Sequence, residues 1–398
     1  MNKLKKIIHF KIKYLNFRLI FLVMALTMLG IIVIGSAAPD AGFNKKQLIG
    51  AVLGVIIMMF VSMIDYRMFL KLHWIEYGIC VLLLLAVLIP GVGKNVKGAT
   101  RWIPVGSSGF NIQPSEFAKV LMILFWAWLF GSNPDNVKKW GKFMLSVLIT
   151  IVPFFLILRE PDLSTTILMT LLFFTAIFIA GFSYKKILII LSIFVPIVVA
   201  VVIYINAVPP TETNNRNKLL KYYQYKRIMA FINPDEYDDG RYQQDNAVLA
   251  IGSGALYGKG LYNDSNESVK NGNYIAEPQT DFIFAVIGEE MGFVGSCLFL
   301  GLLFLIAIEC IITGSRALDM PGRIICFGMA AIMTFQTFIN LGVVTEILPN
   351  TGITLPFVSY GLSSLVSMYA GIGLVLSVRM TKKIALEEAM NEHRFNRA

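Results

Sequence analysis

The stretch Glu277-Pro-Gln-Thr-Asp281-Phe-Ile-Phe-Ala-Val-Ile-Gly-Glu289-Glu290-Met-Gly-Phe-Val-Gly295 carries the chain from a polar segment into a long apolar run. Asp281 is the last polar residue before that run. A carboxylate there meets water on one side and low dielectric on the other. The position suits a general base acting at a membrane surface, and it suits a helix N-cap. Thr280 can fill the cap instead. Glu289 and Glu290 follow two turns deeper, and two adjacent carboxylates in hydrocarbon cannot both face lipid. At least one needs a polar cavity or a basic partner.

The apolar character extends along the chain. Its 398 residues are 56% hydrophobic, with a mean hydropathy of +0.67, which excludes an ordinary soluble domain. Ten runs approach the roughly 20 residues that span a bilayer. They cover 17–37, 46–64, 74–91, 114–131, 141–158, 164–182, 185–206, 282–312, 322–345 and 358–378. The expectation is an all-α polytopic membrane protein: one domain over 1–398, ten transmembrane helices, and a large, partly helical fourth outer loop, 207–280. The eighth run is long enough to tilt or to protrude. The first has no clear small-residue cleavage site and is read as a retained span.

Lysine and arginine set the expected orientation. With both termini cytoplasmic, 20 of the 35 fall in cytoplasmic segments and six in short outer loops. Eight more lie in the long loop, which is largely exempt from the positive-inside rule, and Lys119 lies inside a span. The net charge of +10 is then mostly topological. The basic residues are too dispersed to favour a nucleic-acid partner. Cys80, Cys297, Cys310 and Cys326 all fall in apolar runs, so no disulfide is expected. His9, His73 and His393 are scattered, without metal-ligand spacing.

No internal repeat is visible, which weakens a transporter built from inverted halves. A loop as long as 207–280 is usually functional. Within it Lys218–Ile232 reads as an interfacial helix ended by Asn233-Pro234, Tyr242–Ala250 as a second helical piece, and Ile251–Leu261 as a glycine-rich turn.

Several polar groups then stand out. Glu116 and Lys119, three apart on one helical face, can pair, either as a functional couple or as a structural salt bridge. Asp162, two residues before Ser164, reads first as helix-start chemistry. Gly254–Gly260 fails the Walker pattern at both ends, with Ser253 at its first position and Gly260 at its last. Its backbone with Lys259 and Arg227 could still hold a pyrophosphate.

The runs GATRWIP, QPSEFAK, EPDLS, RIMAFINP, AIGSGALYGKGL, EPQTDFIFAVIGEE and NTGITLPFVSYG resemble, in order over residues 98–361, the bacterial SEDS family (shape, elongation, division and sporulation). Ile64-Asp65-Tyr66 and the FINP segment look more like its rod-shape branch, RodA, than its division branch, FtsW. The resemblance implies a peptidoglycan glycosyltransferase polymerising lipid II at the outer face of the cytoplasmic membrane. It implies a class B penicillin-binding transpeptidase as partner, within the elongation or division machinery. The family's essential acid falls on Asp281, the Glu and Lys of QPSEFAK on Glu116 and Lys119, and the Arg of RIxxF on Arg227. Gln279, Ala255, Ser164 and Leu362 depart from the usual pattern, and none removes a candidate acid or base.

The expected mechanism is direct displacement, with Asp281 as base and Arg227, Lys259, Arg101 or Lys119 stabilising the leaving pyrophosphate. A divalent cation such as Mg or Mn could share that task, but the sequence reveals none. Glu116 and Asp162 complete the candidate substrate-binding set. The alternatives are a lipid II flippase and a non-catalytic scaffold for the transpeptidase.

Overall fold

The computed structural model describes residues 11–96, 99–106, 110–133, 139–190, 192, 196, 203, 222–233, 238–263, 268 and 274–395. Helices occupy nine of the ten expected runs; the remaining one, 185–206, lies mostly outside the described residues. The helices of these runs are α1 (Phe17–Ala37), α2 (Phe43–Met63), α4 (His73–Leu88), α5 (Pro114–Trp126), α6 (Trp140–Arg159), α7 (Leu163–Ile179), α10 (Ile283–Ser315), α11 (Met320–Val344) and α12 (Leu362–Phe395). Short α3 (Tyr66–Lys71) links α2 to α4, and α5 continues as π-helix over Ala127–Ser132. Seven of these helices are long and apolar enough to cross a membrane; α4 and α7 are shorter apolar helices. The last helix starts later than expected, at Leu362, and runs on to Phe395. Residues 358–361, expected at the start of the last span, are non-helical, and the Ser359 hydroxyl accepts from the Leu355 amide at 2.7 Å.

Within the long loop lie α8 (Tyr222–Ile232) and α9 (Asp238–Ser253), close to the two helical pieces expected there. The loop between α4 and α5 departs from the all-α expectation. It forms an antiparallel sheet of β1 (Lys94–Val96), β2 (Ala99–Val105) and β3 (Phe110–Ile112), in that order. Trp102 faces Lys94 across one ladder, and Ile103 faces Ile112 across the other. Thr100, Trp102, Ile103 and Val105 are strand formers, and too short a run to register as a span.

Small residues bring the helices close. A methyl on Gly54 of α2 would stand 2.3 Å from the Tyr369 ring of α12, and one on Gly50 would stand 2.5 Å from Leu362. Leu362, which departs from the family pattern, therefore packs against a glycine. The Tyr369 hydroxyl donates to Thr27 of α1 at 3.0 Å, joining three helices.

Helix α10 breaks at Gly292, where φ is +63° and ψ −161°. An unbroken helix would bond Phe293 N to Glu289 O and Val294 N to Glu290 O. The glycine-rich segment after α9 replaces both bonds. Lys259 N and Gly260 N donate to the carbonyls of Glu289 and Glu290, each at 2.9 Å. Phe293 N and Val294 N donate to Ala255 O and Leu256 O at 2.9 and 3.1 Å. Four backbone groups freed by the break are thus satisfied, as hydrocarbon surroundings require. A methyl on Gly258 would stand 2.2 Å from Glu290 O, so the glycines permit this approach. The same contact gives Glu289 its basic partner, Lys259, at 2.9 Å; Glu290 accepts from Ser36 at 2.6 Å.

Candidate active site

At one end of the bundle a cavity of about 440 Å³ opens where α5, α7, α10 and α12 begin and α11 ends. Strand β2 contributes Arg101 and Trp102, α8 contributes Arg227, and the segment between α11 and α12 contributes Asn350, Gly352 and Thr354. Asp281, Glu116, Glu277, Gln243 and Ser364 are among its other polar lining residues. Four candidates from the sequence, Arg101, Glu116, Arg227 and Asp281, therefore share one cavity, though they lie up to 180 residues apart.

Asp281 sits two residues before α10 and is partly exposed. The cap position is Phe282, without a side-chain hydrogen bond, so the capping reading of Asp281 finds no support there. Its backbone is held from α11: Asn340 Nδ2 donates to Asp281 O at 2.8 Å and to Ile353 O at 2.7 Å. Ser359 adds a second tie, donating to Thr280 O at 2.6 Å. Gly352, at φ +71°, faces this point. A methyl there would stand 3.0 Å from Asp281 Oδ2 and 3.6 Å from an Arg227 guanidinium nitrogen. Glycine lets the 350–354 segment lie against both side chains.

Behind the rim is a buried polar chain. Glu116, in the first turn of α5, pairs with Lys119 at 2.9 Å, and Lys119 is only 1% exposed. Lys119 Nζ also donates to Gln336 Oε1 of α11 at 3.0 Å. Gln336 Nε2 in turn donates to Thr354 O at 2.8 Å. Glu116 and Thr354 thus line the cavity while Lys119 and Gln336 connect them from behind.

Asp162 plays a similar supporting part. It is 2% exposed, caps α7 by accepting from Thr165 N at 3.1 Å, and lies 3.8 Å from an Arg101 guanidinium nitrogen. Arg101 also donates to the carbonyls of Glu160 and Pro161. Three acceptors from the α6–α7 turn thereby orient this arginine at the cavity. Glu160 is fully buried beside it. Burial first, then the neighbouring Asp162 charge, push its carboxyl up to about 9, against the opposing pull of Arg101. Burial likewise raises the Tyr360 phenol at the cavity wall above its ordinary value, so it stays protonated at neutral pH.

Lys259 does not join this group. Its ammonium pairs with Glu289 and its amide is bonded to α10. The amides of the glycine-rich segment, which the sequence offers as a pyrophosphate cradle, mend the break in α10. Sequence reading also passes over Gln336, Asn340 and Gly352. The signal for the first two is a pair of buried amides spaced i, i+4 inside an apolar span. Among the described residues, no three His, Cys, Asp or Glu side chains stand together as a metal site.

The Glu116–Lys119 pair generates a stability test. Lys119→Met leaves Glu116 buried without its cation and is expected to cost about 3–5 kcal/mol. Combining it with Glu116→Gln removes both charges and should restore most of that loss in detergent unfolding. A double variant no more stable than Lys119→Met would mean that the pair does not set the cost.

The described relationships extend to known proteins. The cell cycle protein family of FtsW, RodA and SpoVE matches residues 16–384. Stage V sporulation protein E of Bacillus subtilis is 36% identical over 375 residues, covering 90% of this chain and 95% of that protein. Peptidoglycan glycosyltransferase MrdB of Escherichia coli is 31% identical over 378 residues, covering 93% and 95%. A chain solved in work on how a peptidoglycan synthase complex coordinates polymerization and crosslinking superimposes with a TM-score of 0.74 at 29% identity, covering 92% of this chain and 97% of that one. With a family match over nearly its whole length and the multi-helix membrane architecture just described, the chain belongs to the FtsW, RodA and SpoVE family of multi-pass membrane proteins.

Proposed function

We propose that the protein is a peptidoglycan glycosyltransferase that polymerises lipid II in the 440 Å³ cavity, with Asp281 as general base. The observation that carries this reading is the convergence of Asp281, Arg227 and Arg101 on one cavity at one end of a membrane bundle. The glycosyltransferase names of relatives such as MrdB support the reaction class. The 20-to-six distribution of basic residues supports an outer-facing cavity and cytoplasmic termini.

In the proposed step the 4-hydroxyl of an acceptor GlcNAc attacks the anomeric carbon of the donor. A glycosidic C–O bond forms, the bond from that carbon to pyrophosphate breaks, and the hydroxyl proton passes to Asp281. The lipid pyrophosphate departs with the bonding electrons. A positioned base contributes about 10²–10⁴-fold. Arg227 and Arg101 oppose the charge gathering on the leaving group. Glu116 and Thr354, on the same wall, are available to sugar hydroxyls. Lys119 and Asp162 act from behind by holding Glu116 and Arg101.

The flippase reading needs charged groups along a path through the bilayer. Here Glu289 and Glu290 are committed to Lys259 and Ser36, while the cavity polarity is concentrated at one end. A scaffold alone would need no such cavity. The solved synthase complex supports a class B penicillin-binding transpeptidase as partner. Assignment to the elongation branch rests on Ile64-Asp65-Tyr66 and on Phe231–Pro234.

Asp281→Asn preserves size and removes the base; polymerisation of lipid II by the purified protein with its partner should fall by about 10² or more. Near-normal glycan synthesis by a folded Asp281→Asn protein would refute the assignment. In the same assay at saturating lipid II, Arg227→Ala should lower turnover by roughly tenfold or more, because a leaving-group ligand acts most strongly in the transition state. An unchanged saturated rate would remove Arg227 from that role. For the branch, the gene should restore rod shape to cells depleted of their elongation polymerase; restoring only division would overturn that part.

A further inference from the structure

We infer that the end of the bundle opposite the cavity carries a binding site for the phosphate of an anionic lipid headgroup, formed by Arg316, Arg379, Lys382 and Lys383. A pocket of about 110 Å³ opens there between the C-terminal end of α10 and α12. These four bases line it, and no carboxylate does. Ile312 and Val378 form its apolar wall.

The general excess of basic residues at this end does not account for the pocket. Four other bases there have acid partners: Lys11 and Lys13 pair with Glu387 at 2.6 and 2.9 Å, Arg67 with Asp319 at 3.2 Å, and Arg18 with Glu309 at 2.9 Å. Among the described residues, no carboxylate lies within ion-pair distance of Arg316, Arg379, Lys382 or Lys383. The nearby acids are already engaged. Asp319 also accepts from the Tyr66 hydroxyl at 2.7 Å and from Gly322 N at 3.0 Å, and Glu387 holds two lysines.

The negative end of the α10 dipole attracts cations, but one suffices for that. Lys382 fills the role by donating to the Arg316 carbonyl just past the helix end. Three further positive side chains around one concavity repel one another unless an anion joins them. Guanidinium groups favour phosphate, which they can meet with paired N–H donors. The ligand is amphipathic because the bases stand where the apolar part of α10 ends, beside Ile312 and Val378. A lipid phosphate satisfies both walls. The surplus of cations disfavours a headgroup carrying its own ammonium.

The test uses the full-length protein in mild detergent. Native mass spectrometry and thermal unfolding compare phosphatidylglycerol, phosphatidylethanolamine and inorganic phosphate. Phosphatidylglycerol should be retained selectively and should raise the unfolding temperature. Arg316→Gln/Arg379→Gln/Lys383→Gln should weaken that retention by about tenfold or more. Lys71→Gln/Lys185→Gln, which neutralises bases elsewhere at the same end, should leave it intact. If the triple variant does not fold, Lys383→Gln alone, on an exposed side chain, should still weaken retention measurably. Equal retention of both lipids, or equal losses in the two variant sets, would reduce the effect to diffuse attraction and overturn the site. Displacement of the lipid by millimolar inorganic phosphate would make it a site for free phosphate instead.

Discussion

A lysine at 1% exposure inside a membrane-embedded helix dictates its surroundings. Hydrocarbon supplies no partner for an ammonium, so the protein must supply one. Lys119 has two, the Glu116 carboxylate and the Gln336 carbonyl oxygen. Each brings a further element with it. Glu116 belongs to the first turn of α5 at the cavity wall, and the Gln336 amide reaches across to Thr354. One turn along α11, Asn340 makes the corresponding tie between Asp281 and Ile353. Two amides on one face of one helix therefore fix the segment 350–354 and the start of α10 relative to each other. The cavity has its shape because these polar groups could not be left unsatisfied in the bundle.

Much of the fold was legible because length and hydropathy are direct consequences of bilayer thickness. The α10 segment, α11 and the start of α5 fall close to their expected limits for that reason. What hydropathy averages over was harder to see. The sheet at 94–112 rests on three short strands whose pairing depends on partners across a loop. The turn at 358–361 is apolar enough to read as helix, yet the Gln47 side-chain amide captures its backbone from outside, and the Ser359 hydroxyl closes it onto the Leu355 amide. The break at Gly292 is local, but its consequence is a contact with residues more than thirty positions earlier.

The candidate site divides along the same line. Asp281, Arg101, Arg227 and Glu116 were visible because each is ionisable and stands near a membrane boundary. Asp162 was visible as helix-start chemistry, and its cap on α7 agrees with that reading. Lys259 looked equivalent to Arg227 from composition alone. The distinction is geometric: one belongs to α8 at the cavity, the other is drawn to Glu289 by the backbone repair in α10. Gln336 and Asn340 carry no charge and interrupt the apolar pattern only slightly. Gly352 has no side chain to read, and its importance appears only when Asp281 and Arg227 are seen against it.

The two ends of the bundle use charge differently, and the difference bears on how a base can work at this site. At the end opposite the cavity, cations pair with Glu387, Asp319 and Glu309 and so tie the N-terminal segment, α3 and α12 to the core. At the cavity end, Arg101 is oriented by main-chain carbonyls of Glu160 and Pro161 as well as by the more distant Asp162 carboxylate. Carbonyl acceptors fix an arginine without neutralising it. Two of these three acceptors carry no charge, so they orient the guanidinium at the cavity without offsetting the field it presents there, while Asp162 at 3.8 Å offsets part of it. A close, bidentate carboxylate in the same place would have positioned the side chain equally well and cancelled the field it presents to the cavity. Glu160, whose carboxyl is fully buried in the same turn, has its pKa pushed up to about 9, so it remains neutral at physiological pH and adds no second negative charge beside the arginine.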